Sequence, residues 1–232
     1  MAGKSRIFVL VHGAWWGGDK WWQGVADPLR AAGHTVLTPC LTGLGYRAHL
    51  CGPGVDLSTH IEDIVSLIEW EDLTDIILVG HSYGGMVISG VAERLPPGSI
   101  RSIVYLDAFL PEDGQSLSDI AANIADVVGD ADPVPAPLFF AGGNKALEEV
   151  LIKYARPHPR ACFFEKPRLT GARDRIPIKT YVLATRTPQV FGRFAERVKS
   201  EPSWRLREID TAHFMMIERP AETAQLLLEA AD

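Results

Sequence analysis

The residues Ile76-Ile77-Leu78-Val79 form a short apolar run that leads straight into Gly80-His81-Ser82-Tyr83-Gly84, and small, periodic residues follow it. A strand that turns sharply into a helix at Gly-x-Ser-x-Gly is the nucleophile-elbow pattern. Gly80 and Gly84 remove side chains that would collide, and Ser82 sits strained at the apex with its hydroxyl clear of the backbone. The chemistry on offer is attack by a serine oxygen. Serine is a weak nucleophile at neutral pH and needs a base within hydrogen-bond reach. His213 is the candidate, in the loop Asp210-Thr211-Ala212-His213-Phe214, ahead of a helix that starts near Pro220. Charge that develops on the attacked oxygen needs donors. The backbone N–H of Tyr83, opening the helix, is one. The N–H of Ala14, in His12-Gly13-Ala14-Trp15 after the first apolar run, is the other.

The remaining histidines divide by position. His34 follows Gly33 at a helix end, His60 lies in a helix-opening stretch and His81 lies inside the elbow, so all three read as structural. His49 and His158 fall in loops that could border a pocket. Trp15, Trp16, Phe139, Phe140 and Phe214 are candidates for its apolar or aromatic walls.

These groups need a scaffold, and the pattern supplies one. Short β-branched runs alternate with helical periodicity: Ile7–Val11 then 21–32, Thr35–Leu37 then 57–70, Ile76–Val79 then 86–95, and Ile100–Leu106. Such alternation predicts crossovers and a mostly parallel sheet with helices on both faces. The regularity lapses over 111–171, which is rich in Pro, Gly and Ala. There Asp132-Pro133-Val134-Pro135-Ala136-Pro137 and Arg156-Pro157-His158-Pro159 interrupt helical stretches at 117–128 and 145–154. We expect an inserted cap at 111–171 on a core made of 1–110 and 172–232. A strand at 179–184, a helix at 191–199, a strand at 205–209 and a helix at 221–230 complete that core. Ser82 then sits at the carboxyl end of a middle strand, where open parallel sheets bind ligands.

Composition narrows the partners. With 232 residues, 47% hydrophobic and 22% charged, a single domain with a large core is expected. A net charge of -6 without a basic block leaves no footprint for nucleic acid, and there is no basic amphipathic helix or membrane-length apolar segment. The apolar run at Ile7–Val11 is too short for a signal-peptide core. Three cysteines, Cys40, Cys51 and Cys162, lack metal-ligand spacing and fit reduced thiols in the cytoplasm. No metal and no cofactor are expected, and a small molecule is the expected partner.

Several segments resemble the α/β-hydrolase superfamily, in the branch of plant methyl esterases, hydroxynitrile lyases and their bacterial esterase relatives. They are Phe8-Val9-Leu10-Val11-His12-Gly13-Ala14-Trp15, Ala32-Gly33-His34-Thr35-Val36, Leu78 to Met86, and Ala212-His213-Phe214-Met215-Met216, with Leu41 to Gly45 and Tyr105 to Pro111 closer to the bacterial members. The resemblance implies an α/β-hydrolase fold with about six strands and a small helical cap. It also implies a carboxylic ester hydrolase that works through an acyl-enzyme on small apolar or aromatic esters. The family usually keeps its triad acid after the strand at 179–184, but Thr187 fills that slot here. Asp107, at the carboxyl end of the strand next to the elbow strand, is the expected acid, as in family members that carry it one strand earlier. Asp210 is the second candidate, and Glu208 reads as solvated. Two other readings stay open. One is a cyanohydrin-cleaving lyase, although those relatives carry a threonine near Gly13 and a lysine at Phe214. The other is a non-catalytic binding protein on the same fold. Monomer and homodimer are equally open.

Overall fold

The computed structural model describes residues 5–121, 128–137 and 144–232. Six strands form one parallel sheet: β1 (Ile7–Val11), β2 (Thr35–Leu37), β3 (Ile76–His81), β4 (Ile100–Leu106), β5 (Ile178–Ala184) and β6 (Trp204–Ile209). Their spatial order is β2-β1-β3-β4-β5-β6. Central strands read as continuous apolar runs because both faces are covered, and all six residues of β3 are buried. The edge strand β6 is partly exposed, and Glu208 there faces solvent.

Helices α1 (Asp19–Ala31), α2 (Leu57–Trp70), α3 (Gly84–Arg94), α7 (Pro188–Lys199) and α9 (Pro220–Ala230) flank this sheet. Crossovers between parallel strands are right-handed, so the change of direction at β1 places α1 on one face and α2 and α3 on the other. The contacts agree, since α1 packs on α9 while α2 packs on α3. The expected sheet of about six strands with helices on both faces is therefore present. Helix α2 shows how local sequence sets a boundary. Asp56 accepts a hydrogen bond from the Thr59 N–H at 2.8 Å in a capping box, and Leu57, Ile61, Ile64, Val65 and Ile68 supply the buried stripe.

Between β4 and β5 the chain carries the short α4 (Leu117–Ile120), then α5 (Lys145–Tyr154) and the short α6 (Ala161–Phe164). The helical stretch expected at 117–128 is described only in part, because 122–127 lie outside the described residues. Neither α6 nor the short α8 (Met215–Glu218) is expected from periodicity. A single turn is too short to show one.

The strand order reverses at β1, so the loops after β1 and β3 part at a topological switch point. The segments carrying Ala14 and Ser82 are those two loops.

Candidate active site

Ser82 has φ 55°, in the left-handed region that β-carbon-bearing residues avoid. The turn is held on both sides: its N–H donates to Leu106 O at 3.3 Å, and its carbonyl accepts from Phe109 N at 3.1 Å and Gly85 N at 3.0 Å. A β-carbon on Gly80 would lie 2.7 Å from Gly84 O, so only glycine lets the helix start this close to the strand. One on Gly13 would lie 3.0 Å from Ser82 Cβ, which shows how tightly the loop after β1 passes the elbow.

His213 reaches the elbow although β6 lies three strands from β3. The His81 Nε2–H donates to His213 O at 3.0 Å and ties the loop after β6 to the elbow. The imidazole of His213 stacks on Phe191, with ring centres 4.9 Å apart and planes 4° apart. Its Nδ1–H donates to Asp107 Oδ2 at 2.7 Å. Asp107 lies just past β4 with φ 43°, and its Oδ1 accepts from the Ala184 N–H at 3.1 Å. Each carboxylate oxygen thus has a donor. Burial pushes His213 below its ordinary range and pushes Asp107 upward, the latter opposed by the Ala184 N–H. The neutral imidazole is the form a general base requires.

Ser82 and His213 line one small cleft together with Gly13 and Ala14. Trp15, Trp16, Trp21 and Phe214 form its aromatic walls. Trp16 stacks on Trp21 at 5.9 Å, and both meet Phe214 edge to face. The Gly13–Ala14 peptide is oriented by His12, whose Nδ1–H donates to Gly13 O at 2.8 Å while its Nε2 accepts from Leu41 N at 3.1 Å. In a trans peptide the carbonyl and the N–H point oppositely, so holding Gly13 O on one side aims the Ala14 N–H to the other.

The other named residues lie elsewhere. Thr187 Oγ1 is buried with no hydrogen-bond partner among the described residues. Asp210 is 78% exposed and pairs with Arg186 at 3.6 Å. His49 is exposed, while His158 is buried and belongs to the packing beneath Trp15 rather than to the cleft lining. Phe139 and Phe140 lie outside the described residues. Sequence reasoning did not find Trp21 or the bracing roles of His12 and His81. Only the position of His12 directly before Gly13 hinted at its role.

One group among the described residues could offer three metal-ligating atoms: His60, His158 and Cys162, within 4.8 Å of one another and buried. Three of the four histidine ring nitrogens have other work. Tyr83 O–H donates to His60 Nδ1 at 2.9 Å, His60 Nε2–H donates to Thr42 O at 2.8 Å, and His158 Nδ1 accepts from Trp15 N at 3.3 Å. Burial also raises the Cys162 thiol and so disfavours the thiolate a metal would need. The group fits a hydrogen-bonded brace better than a metal centre.

The family described as "Alpha/beta hydrolase family" matches residues 8–226. The "Carbendazim hydrolyzing esterase" of Nocardioides sp. (strain SG-4G) is 41% identical over 240 residues, covering 95% of this chain and 97% of that protein. The "Alpha-hydroxynitrile lyase" of Arabidopsis thaliana is 37% identical over 113 residues, 47% of this chain and 42% of that protein. Among solved structures, an extracellular alpha/beta-hydrolase from a Paenibacillus species superposes with a TM-score of 0.82 at 30% identity, covering 97% of this chain and 98% of that one. It is described as sharing structural and functional homology with tobacco salicylic acid binding protein 2.

Proposed function

This chain belongs to the alpha/beta hydrolase family, and from that premise we propose that it is a serine carboxylesterase with Ser82 as nucleophile, His213 as base and Asp107 as acid. The observation that carries the proposal is the 2.7 Å hydrogen bond from His213 Nδ1 to Asp107 Oδ2, on a histidine that shares a cleft with Ser82. Asp107 holds the imidazole in the tautomer that leaves Nε2 to receive a proton, and it stabilises the imidazolium once formed. His213 takes the Ser82 proton as the oxygen attacks the ester carbonyl. The N–H groups of Ala14 and Tyr83 hold the tetrahedral oxyanion. His213 then protonates the departing alcohol, leaving an acyl-enzyme. Water, deprotonated by the same imidazole, releases the acid and regenerates Ser82.

The aromatic walls around Ser82 support small apolar or aromatic esters as substrates, and no cofactor enters the cycle. Residues 111–171 act as the cap over this site. Among the described residues no helix is long and apolar enough to cross a membrane, and the free thiols of Cys40, Cys51 and Cys162 favour a reducing, cytoplasmic setting.

The test is hydrolysis of a panel of 4-nitrophenyl acetate, aromatic methyl esters and carbendazim. Wild type should turn over at least one of them, and Ser82→Ala should lose at least about a thousandfold in kcat. Equal rates in the two proteins would overturn the assignment.

A further inference from the structure

Trp15 directly follows Ala14, the proposed oxyanion donor, and has φ 63°, a left-handed conformation that a bulky aromatic residue holds only when its surroundings impose it. What imposes it is the segment between β4 and β5. The Trp15 N–H donates to His158 Nδ1 at 3.3 Å, its indole Nε1–H donates to Val134 O at 3.1 Å, and its carbonyl accepts from Arg156 N at 3.0 Å. Trp16 adds a fourth bond, from its indole Nε1–H to Leu151 O at 2.8 Å. Val134 and His158 are themselves paired by reciprocal backbone hydrogen bonds of 2.7 and 2.8 Å, so the gripping segment is internally fixed.

His158 sits at the centre of this grip. Its ring also packs edge to face on Tyr83 at 4.9 Å and against Phe163 at 4.7 Å. It thus contacts Tyr83, one proposed oxyanion donor, and the residue directly after Ala14, the other. A buried imidazole is a poor choice for packing alone, and here Nε2 is buried with no partner among the described residues. An apolar ring would fill the space without that orphaned N–H. What the imidazole adds is the Nδ1 acceptor.

We propose that His158 is a positioning residue for the ester hydrolysis, clamping the Trp15 N–H so that the cap and the loop carrying Ala14 move as one body. This rests on the reading of Ser82 as nucleophile and of Ala14 and Tyr83 as oxyanion donors. A clamp of this kind acts on the transition state. A donor displaced by a fraction of an ångström weakens its bond to the oxyanion far more than it weakens substrate binding.

The test compares three substitutions with wild type and with Ser82→Ala, using the chromogenic ester that the wild type hydrolyses. Asparagine places its Oδ1 where His158 Nδ1 lies, glutamine carries its acceptor one atom further out, and leucine has none. His158→Leu and His158→Gln should lower kcat at least about tenfold with KM within about twofold, and should slow inactivation by a serine-directed phosphonate in proportion. His158→Asn should recover most of both rates. Where the leucine variant does not fold, the asparagine and glutamine pair decides alone. Asparagine and glutamine variants equal to each other in kcat, whether both normal or both impaired, would overturn the clamp. Ser82→Ala separates the two proposals. An inactive Ser82→Ala beside unaffected His158 variants removes the clamp and leaves the esterase, whereas an active Ser82→Ala removes the esterase reading itself.

Discussion

A carboxylate is expensive to bury unless each oxygen finds a donor, and Asp107 has the Ala184 N–H on one and the His213 Nδ1–H on the other. Removing the charge while keeping the shape tests its role. Asp107→Asn should retain the fold and lose about a thousandfold or more in kcat, as expected when the imidazole is left in the wrong tautomer. Near-normal turnover would return the acid role to another residue. In the proposed triad His213 also sets the acid limb of activity. Its neutral form is the base, protonation on lowering the pH removes that base, and burial moves the protonation downward. The kcat/KM profile of a short-chain ester should therefore keep its plateau below pH 6.5, and an acid limb centred above that value would contradict the buried, neutral imidazole.

At the scale of elements, two helix starts make contrasting predictions. Helix α3 begins against the strand it follows, and a β-carbon on Gly80 would sit 2.7 Å from Gly84 O, a backbone atom that cannot move away cheaply. Gly80→Ala should cost about 2 kcal/mol or more in stability and, by shifting the elbow, most of the turnover. Helix α2 begins at a capping box whose residues do not line the cleft, with Asp56 Oδ1 bonded to the Thr59 N–H at 2.8 Å. Asp56→Ala should cost about 1 kcal/mol of stability with kcat unchanged. Urea unfolding beside ester turnover reads both, and a loss of kcat in the Asp56 variant would mean that α2 couples to the site.

For the whole molecule, five of the seven histidines are buried: His12, His60, His81, His158 and His213. Burial lowers them all, with His12 and His60 down to about 4. The unfolded chain takes up protons near pH 6.5, but the folded one resists them until far lower pH. Stability is therefore fully present above about pH 6.5 and is lost as the pH falls below it. Each buried histidine that resists protonation adds to this loss, because the unfolded chain then binds more protons than the folded one. Asp107, raised by burial, works in the opposite direction but is a single group. The urea midpoint should drop steeply between pH 6.5 and 5, and a flat midpoint over that range would show that these imidazoles accept protons while folded.

Local rules made much of this protein legible. Apolar runs flanked by helical periodicity announced the parallel sheet, because a strand covered on both faces has no polar side to display. The elbow was legible because its sharp turn depends on glycines within five residues of Ser82. His213 could be placed because the loops at the carboxyl ends of parallel strands share one edge. Asp107 drew attention as a charge directly after an apolar strand. The tertiary structure alone decided which donors meet that carboxylate, since Asp107 and His213 are separated by 106 residues and their hydrogen bond depends on how β4 and the loop after β6 are set in space. It alone set His12 behind the Gly13 carbonyl, His81 under the His213 backbone and His158 against the Trp15 N–H. A hydrogen bond between distant segments leaves no periodicity in a single chain, so a bracing histidine looks like any other histidine until the fold brings its partner to it.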